Sequence, residues 1–234
     1  MWRYYPSTLN ATTVTTEGFA NATQYGTAAT ATWANTNQFT RARRVTIPTT
    51  STAASAGGYR FPTASFTTGS GTTGGFYYAC KFGFASATEA TFVAASRTFV
   101  GMSSTTTSLT NAEPSTFLNC VGVGQGAADT TFKIFYGGSA AQTPIDTGIS
   151  FTTASRDTIY ELTLYSPSNT NNYIYYTFTN LNTAATVSGT LSGNTGISLP
   201  NSTTNITPQT WRTNNATASV ADMSLIYLYM ETES

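Results

Sequence analysis

The feature of this sequence that most constrains its fold is a two-residue alternation of apolar side chains along a series of short segments. From Gly74 onward these segments are rich in aromatic and β-branched residues, and Ser, Thr, Asn, Gly and Pro separate them. In GGFYYACKFGFAS, for example, Phe76, Tyr78, Phe82 and Phe84 occupy alternate positions and would share one face of a strand. Such segments, with almost no helical periodicity, are typical of an antiparallel β-sandwich or barrel. We predict an all-β fold, most simply a jelly roll.

The predicted strands supply the predicted core. Turn sequences such as TTGSGTTGG, TNAEPST, SPSNTNN and SGNTG separate the segments FYYACKFGFA, RTFVGMSS, FLNCVGVG, TFKIFYGG, TIYELTLYSP, YIYYTFTNL, ATVSGTLS and MSLIYLYMET. Two facing sheets would bury the residues of one parity. These are Phe76, Tyr78, Phe82, Phe84, Phe132, Ile134, Tyr136, Tyr160, Leu162, Leu164, Ile174, Tyr176 and Phe178, with Leu225, Tyr227 and Tyr229 or the alternates Ile226 and Leu228.

The first 70 residues differ in composition from the rest of the chain. They are rich in Ala, Thr and Asn, and strand signals are confined to FTRARRVTIP and YRFPTASFTT. We therefore divide the chain into an extended arm for attachment or oligomerisation (1–70) and a jelly-roll domain (71–234). The last strand, MSLIYLYME, is nearly apolar throughout, so we expect the arm or a neighbouring subunit to cover its outer side.

Charge and the distribution of apolar residues argue against two classes of partner, nucleic acid and membrane. Charged residues make up 9% of the chain, and the formal net charge is zero. Without a positive field the chain is not expected to bind nucleic acid. The one basic cluster, Arg41, Arg43 and Arg44, favours an interface anchor or a rim over a phosphate patch. No run of 18 apolar residues exists, and MWRYYPSTLN does not resemble a signal peptide, so we expect neither membrane insertion nor a secretion signal.

The segment VGVGQGA (121–127) matches the dinucleotide-binding pattern G-x-G-x-x-G/A. That pattern binds a pyrophosphate only where the glycines join a strand to a helix. The residues after it, DTTFKIFY, alternate with a period of two and end at Gly137, which is too short and too β-prone for a helix. We interpret the segment as a glycine-rich turn region between two antiparallel strands, in which Asp129 caps the start of the second strand.

The two cysteines, Cys80 and Cys120, cannot form a usual zinc site, because the chain contains no histidine. Cys80 shares its parity with the aromatic residues of its strand, and we expect a buried thiol that packs as a small apolar side chain. A disulfide between the two cysteines is the alternative, although nothing in the sequence indicates an oxidising compartment.

Catalytic chemistry has little support. The absence of histidine excludes the Ser-His-Asp and Cys-His arrangements, and the scattered carboxylates form no recognisable pair. Glu161 has the parity of a solvent-facing strand residue. Asp129 and Asp146 flank turns, where a carboxylate caps backbone N–H groups, with calcium ligation as the lesser alternative. We expect a protein that is not an enzyme and has no cofactor other than, at most, calcium.

Binding makes smaller demands than catalysis. A sugar site needs aromatic ring faces and polar groups that reach the hydroxyls, commonly on loops of a sandwich. TPQTWRTNNATAS offers Trp211, Arg212, Asn214 and Asn215 in one predicted polar loop before the last strand. They are the candidate ligand-binding residues. The alternative is a structural Trp with Arg and Asn satisfying nearby turns, since Trp and Arg are enriched in interfaces of every kind.

Most of the chain resembles a recurring domain of tailed-phage and prophage structural proteins, which ends in a concanavalin-like or laminin-G-like jelly roll. The resemblance runs from about Thr40 to Ser234. It rests on the order and spacing of TRARR, GGFYYACKFGFA, RTFVGMSS, NAEPSTFLNCVGVGQGAADTTFKIFYGGSAAQTPID, YELTLYSP, WRTNNAT and SLIYLYMETES. The resemblance does not identify any catalytic or sugar-binding residue in this chain.

The resemblance implies a virion component. It would be assembled in the bacterial cytoplasm and exposed on the phage particle, where a tail fibre or receptor-binding module contacts a host surface glycan or another receptor. The implied partners are the chain itself, as a homotrimer, and other virion proteins. The alternatives are a purely structural head-fibre, decoration or baseplate protein and, less strongly supported, a fragment of a polysaccharide depolymerase.

Overall fold

The structure is a computed structural model that describes residues 2–5, 22–31, 33–61, 63–71, 73–107, 109–168, 173–194 and 196–232. Strands dominate this part of the chain. They are β1 (Trp2–Tyr4), β2 (Thr23–Tyr25), β3 (Val45–Pro48), β4 (Ala56–Arg60), β5 (Phe76–Gly83), β6 (Arg97–Ser103), β7 (Cys120–Gln125), β8 (Thr131–Gly137), β9 (Ile145–Ser150), β10 (Ile159–Ser166), β11 (Tyr173–Asn180), β12 (Ala185–Ser192), β13 (Thr207–Thr213) and β14 (Asp222–Thr232). A four-residue helix, α1 (Gln38–Arg41), and two 3₁₀ turns, Pro114–Thr116 and Thr153–Ser155, complete the described elements. No helix among these residues is long and apolar enough to span a membrane.

The strands form two seven-stranded sheets in which every pairing is antiparallel. Sheet A has the order β1-β14-β5-β10-β11-β12, with β3 also paired to β14, and sheet B has the order β2-β4-β13-β6-β7-β8-β9. Strands that are far apart in sequence are neighbours in space, as β14 and β5 are in sheet A and β13 and β6 are in sheet B. This is the jelly-roll sandwich that the alternation predicts.

The described residues of the predicted arm are part of this sandwich. β1 and β3 pair with β14 in sheet A, while β2 and β4 join sheet B beside β13. The expectation that the arm covers β14 is met in part, because the ring of Tyr5 lies 4.9 Å from that of Tyr227. Residues 6–21 of the predicted arm lie outside the described residues.

The core between the sheets consists largely of the predicted parity sets. Rings from both sheets interlock there, and the centroid of Phe132 in sheet B lies 4.7 Å from that of Tyr160 and 5.1 Å from that of Phe178 in sheet A. Tyr136 is only partly buried at the margin. Such edge-on and tilted ring contacts add to the free energy gained by burying apolar area.

The last strand departs from its predicted parity. The register between β14 and β5 shifts between Leu225 and Tyr227, so Ile226 is an extra residue that forms a β-bulge. A one-residue shift moves every later side chain to the other face of the sheet. Leu225 and Leu228 are therefore both buried, whereas Tyr227 and Tyr229 face outward. Neither predicted alternating set is correct along the whole strand.

The glycine-rich segment 121–127 lies in β7 and in the turn that leads to β8. Gly122 is part of the strand, where a Cβ atom would come within 2.8 Å of the Phe99 ring. The N–H of Gly126 donates to Oδ2 of Asp129 over 2.8 Å, and the N–H of Asp129 donates to the carbonyl of Gly126 over 3.1 Å. The next element is the strand β8, which pairs antiparallel with β7, so the prediction of two strands without a helix is confirmed. The turn is shorter than predicted, because residues 121–125 belong to β7 and only Gly126 and Ala127 of the segment lie in the turn.

The alternative of a disulfide is wrong, since both cysteines are free and buried. Cys80 lies between the sheets, whereas Cys120 belongs to a separate cluster with Phe99, Phe135 and Trp211. Burial raises the pKa of each thiol to about 12, which keeps both protonated at neutral pH.

Buried charges join the two sheets at one end of the sandwich. Arg212 of β13 binds the carboxylate of Glu89 through both terminal nitrogens, and its Nε donates to Oγ of Ser96 over 3.1 Å. Its Nη1 also donates to the carbonyl of Asp222, the first residue of β14, over 2.9 Å. Both carboxylate oxygens of Asp222 accept the N–H of Ala85. Burial and the nearby charge of Glu89 raise the pKa of Asp222 well above its usual range.

We expect Arg212→Leu to lower the free energy of unfolding by about 3–5 kcal/mol, because it leaves the buried Glu89 carboxylate without a counter-charge. Asp222→Asn should cost less, because the folded protein already disfavours the charged form of that side chain. Urea denaturation of both variants measures the difference. The exposed Arg41→Leu is the control and should change the free energy by less than about 0.5 kcal/mol. A loss for Arg212→Leu no larger than that of the control would contradict the structural role of the pair.

Candidate functional site

The outer face of sheet A carries an array of tyrosines that the pairing register brings together. In β14 and β5, Tyr229 lies opposite Ala79, and Tyr227 lies opposite Lys81. A second row across the sheet contains Tyr77 of β5, which lies opposite Tyr165 of β10. Neighbouring strands are about 4.8 Å apart, so such residues form one continuous surface. Aromatic rings therefore cover the centre of the solvent-facing side of this sheet.

An open groove of about 700 Å³, which we name the tyrosine groove, crosses this surface. Four tyrosines, Tyr5, Tyr77, Tyr227 and Tyr229, form its walls. The ring of Tyr77 lies 5.9 Å from that of Tyr229 at an interplanar angle of 66°, and Tyr5 is 57% exposed. The small side chain of Ala79 lies between the larger ones, so it leaves a depression lined by ring faces and edges.

Helix α1 packs on the outer face of sheet A next to one end of the groove. Its Phe39 ring packs with Ala85 and Ile159 outside sheet A, and the bulge residue Ile226 packs against the same cluster. Gly83 makes this contact feasible, because a Cβ atom there would lie 2.6 Å from the Phe39 ring. The helix thus holds the residues after it, Ala42 and Arg43, against the groove.

The polar groups of the groove lie toward this end. Nζ of Lys81 lies 3.6 Å from Oε1 of Glu161, and the two side chains are 37% and 30% exposed. Arg43 is exposed and also lines the groove. The tyrosine hydroxyls add further hydrogen-bonding groups. That of Tyr229 donates to Oε2 of Glu231 over 2.7 Å, and this bond raises the pKa of Tyr229.

This arrangement can bind a molecule that has both apolar faces and hydroxyl groups. Tyrosine rings pack against the C–H faces of a sugar, while hydroxyls and charged groups pair with its oxygens. Glu161 faces solvent, as predicted, and forms an ion pair with Lys81. Among the described residues no group of three or more His, Cys, Asp or Glu side chains could hold a metal ion.

The prediction that Trp211 and Arg212 lie in a polar loop is wrong. Trp211 and Arg212 lie in β13 near the middle of sheet B, and both are fully buried. Nε1 of Trp211 donates to the carbonyl of Leu109 over 3.1 Å, and Arg212 forms the buried ion pair with Glu89. The neighbouring strands β4 and β6 and the segment before β7 surround Trp211. This environment agrees with the alternative prediction of a structural Trp.

The other two residues of the predicted patch also serve the fold. The amide of the buried Asn214 donates to the carbonyls of Thr50, Thr52 and Ser219 and so holds two loops together. Asn215 adopts a left-handed backbone conformation with φ of 51°, and its Oδ1 accepts a hydrogen bond from Arg97. It is the one residue of the four that is partly exposed.

Asp129 and Asp146 both act as turn caps. Asp129 accepts from the N–H of Gly126, and its Oδ1 lies 2.6 Å from Nζ of Lys133. Oδ1 of Asp146 accepts the N–H of Gly148 over 2.8 Å, which lowers the pKa of that carboxyl. The ammonium group of Lys133 already balances the charge of Asp129, so calcium would have to compete with it.

Sequence reasoning missed the groove, although the sequence contains part of its signal. The alternation predicts Tyr227 and Tyr229 as core residues, because a bulge is invisible in a pattern of apolar side chains. Tyr77 has the opposite parity to the core residues of β5, which marks it as outward-facing. The identity of its neighbours depends on which strands pair.

Comparison with known proteins shows the fold. The sequence matches no protein-family model and no curated protein. In structure, the chain is similar to basic winged bean lectin with Tn-antigen, with a TM-score of 0.58 and 10% identity over 100% of this chain and 98% of that one. Lectin UEA-II complexed with galactose gives a TM-score of 0.56 and 9% identity over 100% and 99% of the chains.

Two further similar structures widen the comparison. The carbohydrate recognition domain of Emp47p has a TM-score of 0.56 and 11% identity and covers 99% of this chain and 95% of that one. A protein of unknown function from Shewanella oneidensis MR-1 has a TM-score of 0.53 and 12% identity, with 91% and 77% covered. The TM-scores establish a shared lectin-like jelly-roll sandwich, and at identities this low the similarity shows the fold alone. This fold agrees with the concanavalin-like fold that the phage-protein resemblance implies.

We expect Trp211→Ala to lower the free energy of unfolding by about 3–5 kcal/mol, the usual cost of removing a large buried ring. Trp211→Phe should cost less, because it keeps most of the packing and loses the bond to the Leu109 carbonyl. Chemical denaturation followed by circular dichroism measures both. Trp33→Ala, which removes a 52% exposed ring, is the matched control and should have little effect. Equal stability of Trp211→Ala and the control would show that Trp211 is not structural.

Proposed function

We propose that this chain is a carbohydrate-binding module that recognises a surface glycan through the tyrosine groove. The observation that carries the proposal is the open groove itself, in which four tyrosine rings surround the small side chain of Ala79 and charged side chains complete the lining. Sugar-binding sites need this combination of ring faces and hydrogen-bonding groups. The fold is shared with lectins, among them one complexed with galactose.

The proposal places the module on the surface of a phage particle, as part of a tail fibre or receptor-binding protein that contacts the host. Support for this placement comes from the resemblance to phage structural proteins, together with a surface that is poor in charge and rich in hydroxyl groups. Such a surface limits nonspecific electrostatic adhesion. The module acts as a homotrimer, by binding and without catalysis.

A purely structural virion protein is the second candidate. The same exposed tyrosines favour it, because Tyr is enriched at the centres of protein interfaces. In that case the groove would be covered by a neighbouring virion protein and would not be available to a glycan. Binding and location therefore distinguish the two functions.

We expect the purified chain to bind members of a glycan array that includes bacterial surface polysaccharides, and Tyr229→Ala to weaken that binding roughly tenfold. The magnitude corresponds to the loss of about 1.4 kcal/mol of ring contact. Titration calorimetry on a bound glycan measures the change. Tyr173→Ala is the matched control, since Tyr173 is 42% exposed in β11 of the same sheet but does not line the groove. Absence of binding to every glycan, or equal binding by both variants, would refute the proposal.

Antibodies against the chain should label the exposed tail fibres of intact phage particles and should block their adsorption to host cells. Electron microscopy with gold-labelled antibody gives the location, and an adsorption assay gives the effect on the host contact. Particles without the chain are the control for nonspecific labelling. Labelling of the capsid without any effect on adsorption would favour the structural candidate instead.

A further inference from the structure

The charges that line the tyrosine groove leave a positive excess. The charged residues there are Arg43, Lys81 and Glu161. Lys81 and Glu161 lie 3.6 Å apart and largely cancel each other. Glu231, which also faces outward on β14 and accepts the hydroxyl of Tyr229, does not line the groove. Among the residues that line the groove, Arg43 is therefore the charged one that has no oppositely charged partner in the described part of the chain.

Arg43 differs from the two arginines beside it in having no partner among the residues that the structure describes. Arg44 is buried, donates to the carbonyl of Phe39 over 2.9 Å and stacks on the Phe39 ring at 4.5 Å. Arg41 donates to the carbonyl of Asn35 over 3.3 Å. The guanidinium group of Arg43 forms no hydrogen bond or ion pair with any residue that the structure describes. Its five donors are free for a ligand.

The backbone that carries Arg43 is fixed on both sides. Before it, Asn37 caps α1 through a reciprocal pair of bonds with Thr40, and the contacts of Arg44 hold the end of the helix. After it, β3 begins at Val45 and pairs with β14. A guanidinium group on such a fixed segment loses less conformational entropy on binding than one on a mobile loop.

We infer that the tyrosine groove selects glycans whose sugars carry a carboxylate, such as uronic or sialic acids, and that Arg43 binds this carboxylate while the sugar ring packs on the tyrosines. The planar fork of Arg matches a carboxylate in a two-bond arrangement, and the charge on both partners strengthens those bonds. The inference rests on the proposed function and adds to it the chemical class of the ligand.

The test uses the purified full chain and an array of matched glycans: sialylated and desialylated oligosaccharides, oligogalacturonates and their carboxyl-reduced forms, and sulfated counterparts. We expect the carboxylated member of a bound pair to bind at least about tenfold more tightly than the neutral one, as one charge-assisted contact allows. Arg43→Gln should abolish this preference and leave the neutral member bound as before. Higher salt should reduce the preference in the unmodified chain.

The matched control is Arg41→Gln, which removes a neighbouring exposed arginine that does not line the groove and should keep the preference. Equal binding of neutral and carboxylated members, equal or tighter binding of sulfated members, or an unchanged preference in Arg43→Gln would each overturn the inference. If Tyr229→Ala still weakens binding in those cases, the proposed function stands without the inference. If no glycan binds the unmodified chain at all, the proposed function itself fails.

Discussion

The ion pair between Arg212 and Glu89 is the interaction on which the rest of this structure depends. Arg212 comes from β13 of sheet B, while the carbonyl that it also binds belongs to Asp222, the first residue of β14 in sheet A. Rings of Phe84 and Phe151 lie 4.6 and 5.4 Å from the guanidinium carbon and exclude water. A charge buried this deeply persists only when its partners are complete, so the pair fixes how the two sheets meet.

The outer surface of sheet A depends on that anchor. Asp222 is tied to Ala85, which comes two residues after β5, so β14 must start at this end and run antiparallel to β5. Four residues later the bulge at Ile226 shifts the parity, and Tyr227 and Tyr229 turn outward beside Tyr77. The tyrosine groove is thus a consequence of a register that is set from the buried end of the strand.

The segment around α1 shows how neighbouring residues of one type acquire different roles. Arg41, Arg43 and Arg44 form a single basic cluster in the sequence, where they predict an anchor or a rim. In the fold, Arg44 is the anchor beneath the helix and Arg43 is at the rim of the groove. The rim half of that prediction applies to Arg43, whereas Arg44 supports the helix within its own chain and not an interface between chains. The close packing of Phe39 on Gly83 positions the segment that carries both arginines.

The sequence by itself determined the all-β fold, eight of the ten strands from β5 onward and most of the core, because burial of one strand face imposes a period of two that is legible in the residues themselves. It did not mark β9 or β13 as strands. It also determined that GVGQGA joins two strands, since the residues after it favour a strand. The tertiary structure alone decided the site. Trp211 and Arg212 look like loop residues until strand pairing places them in the middle of sheet B. The groove joins Tyr5, Arg43, Tyr77 and Tyr229 from four separate segments, and a bulge reverses the parity of one of them. Which segments meet depends on register and on buried charge pairs across the sheets, and no local pattern encodes these long-range contacts.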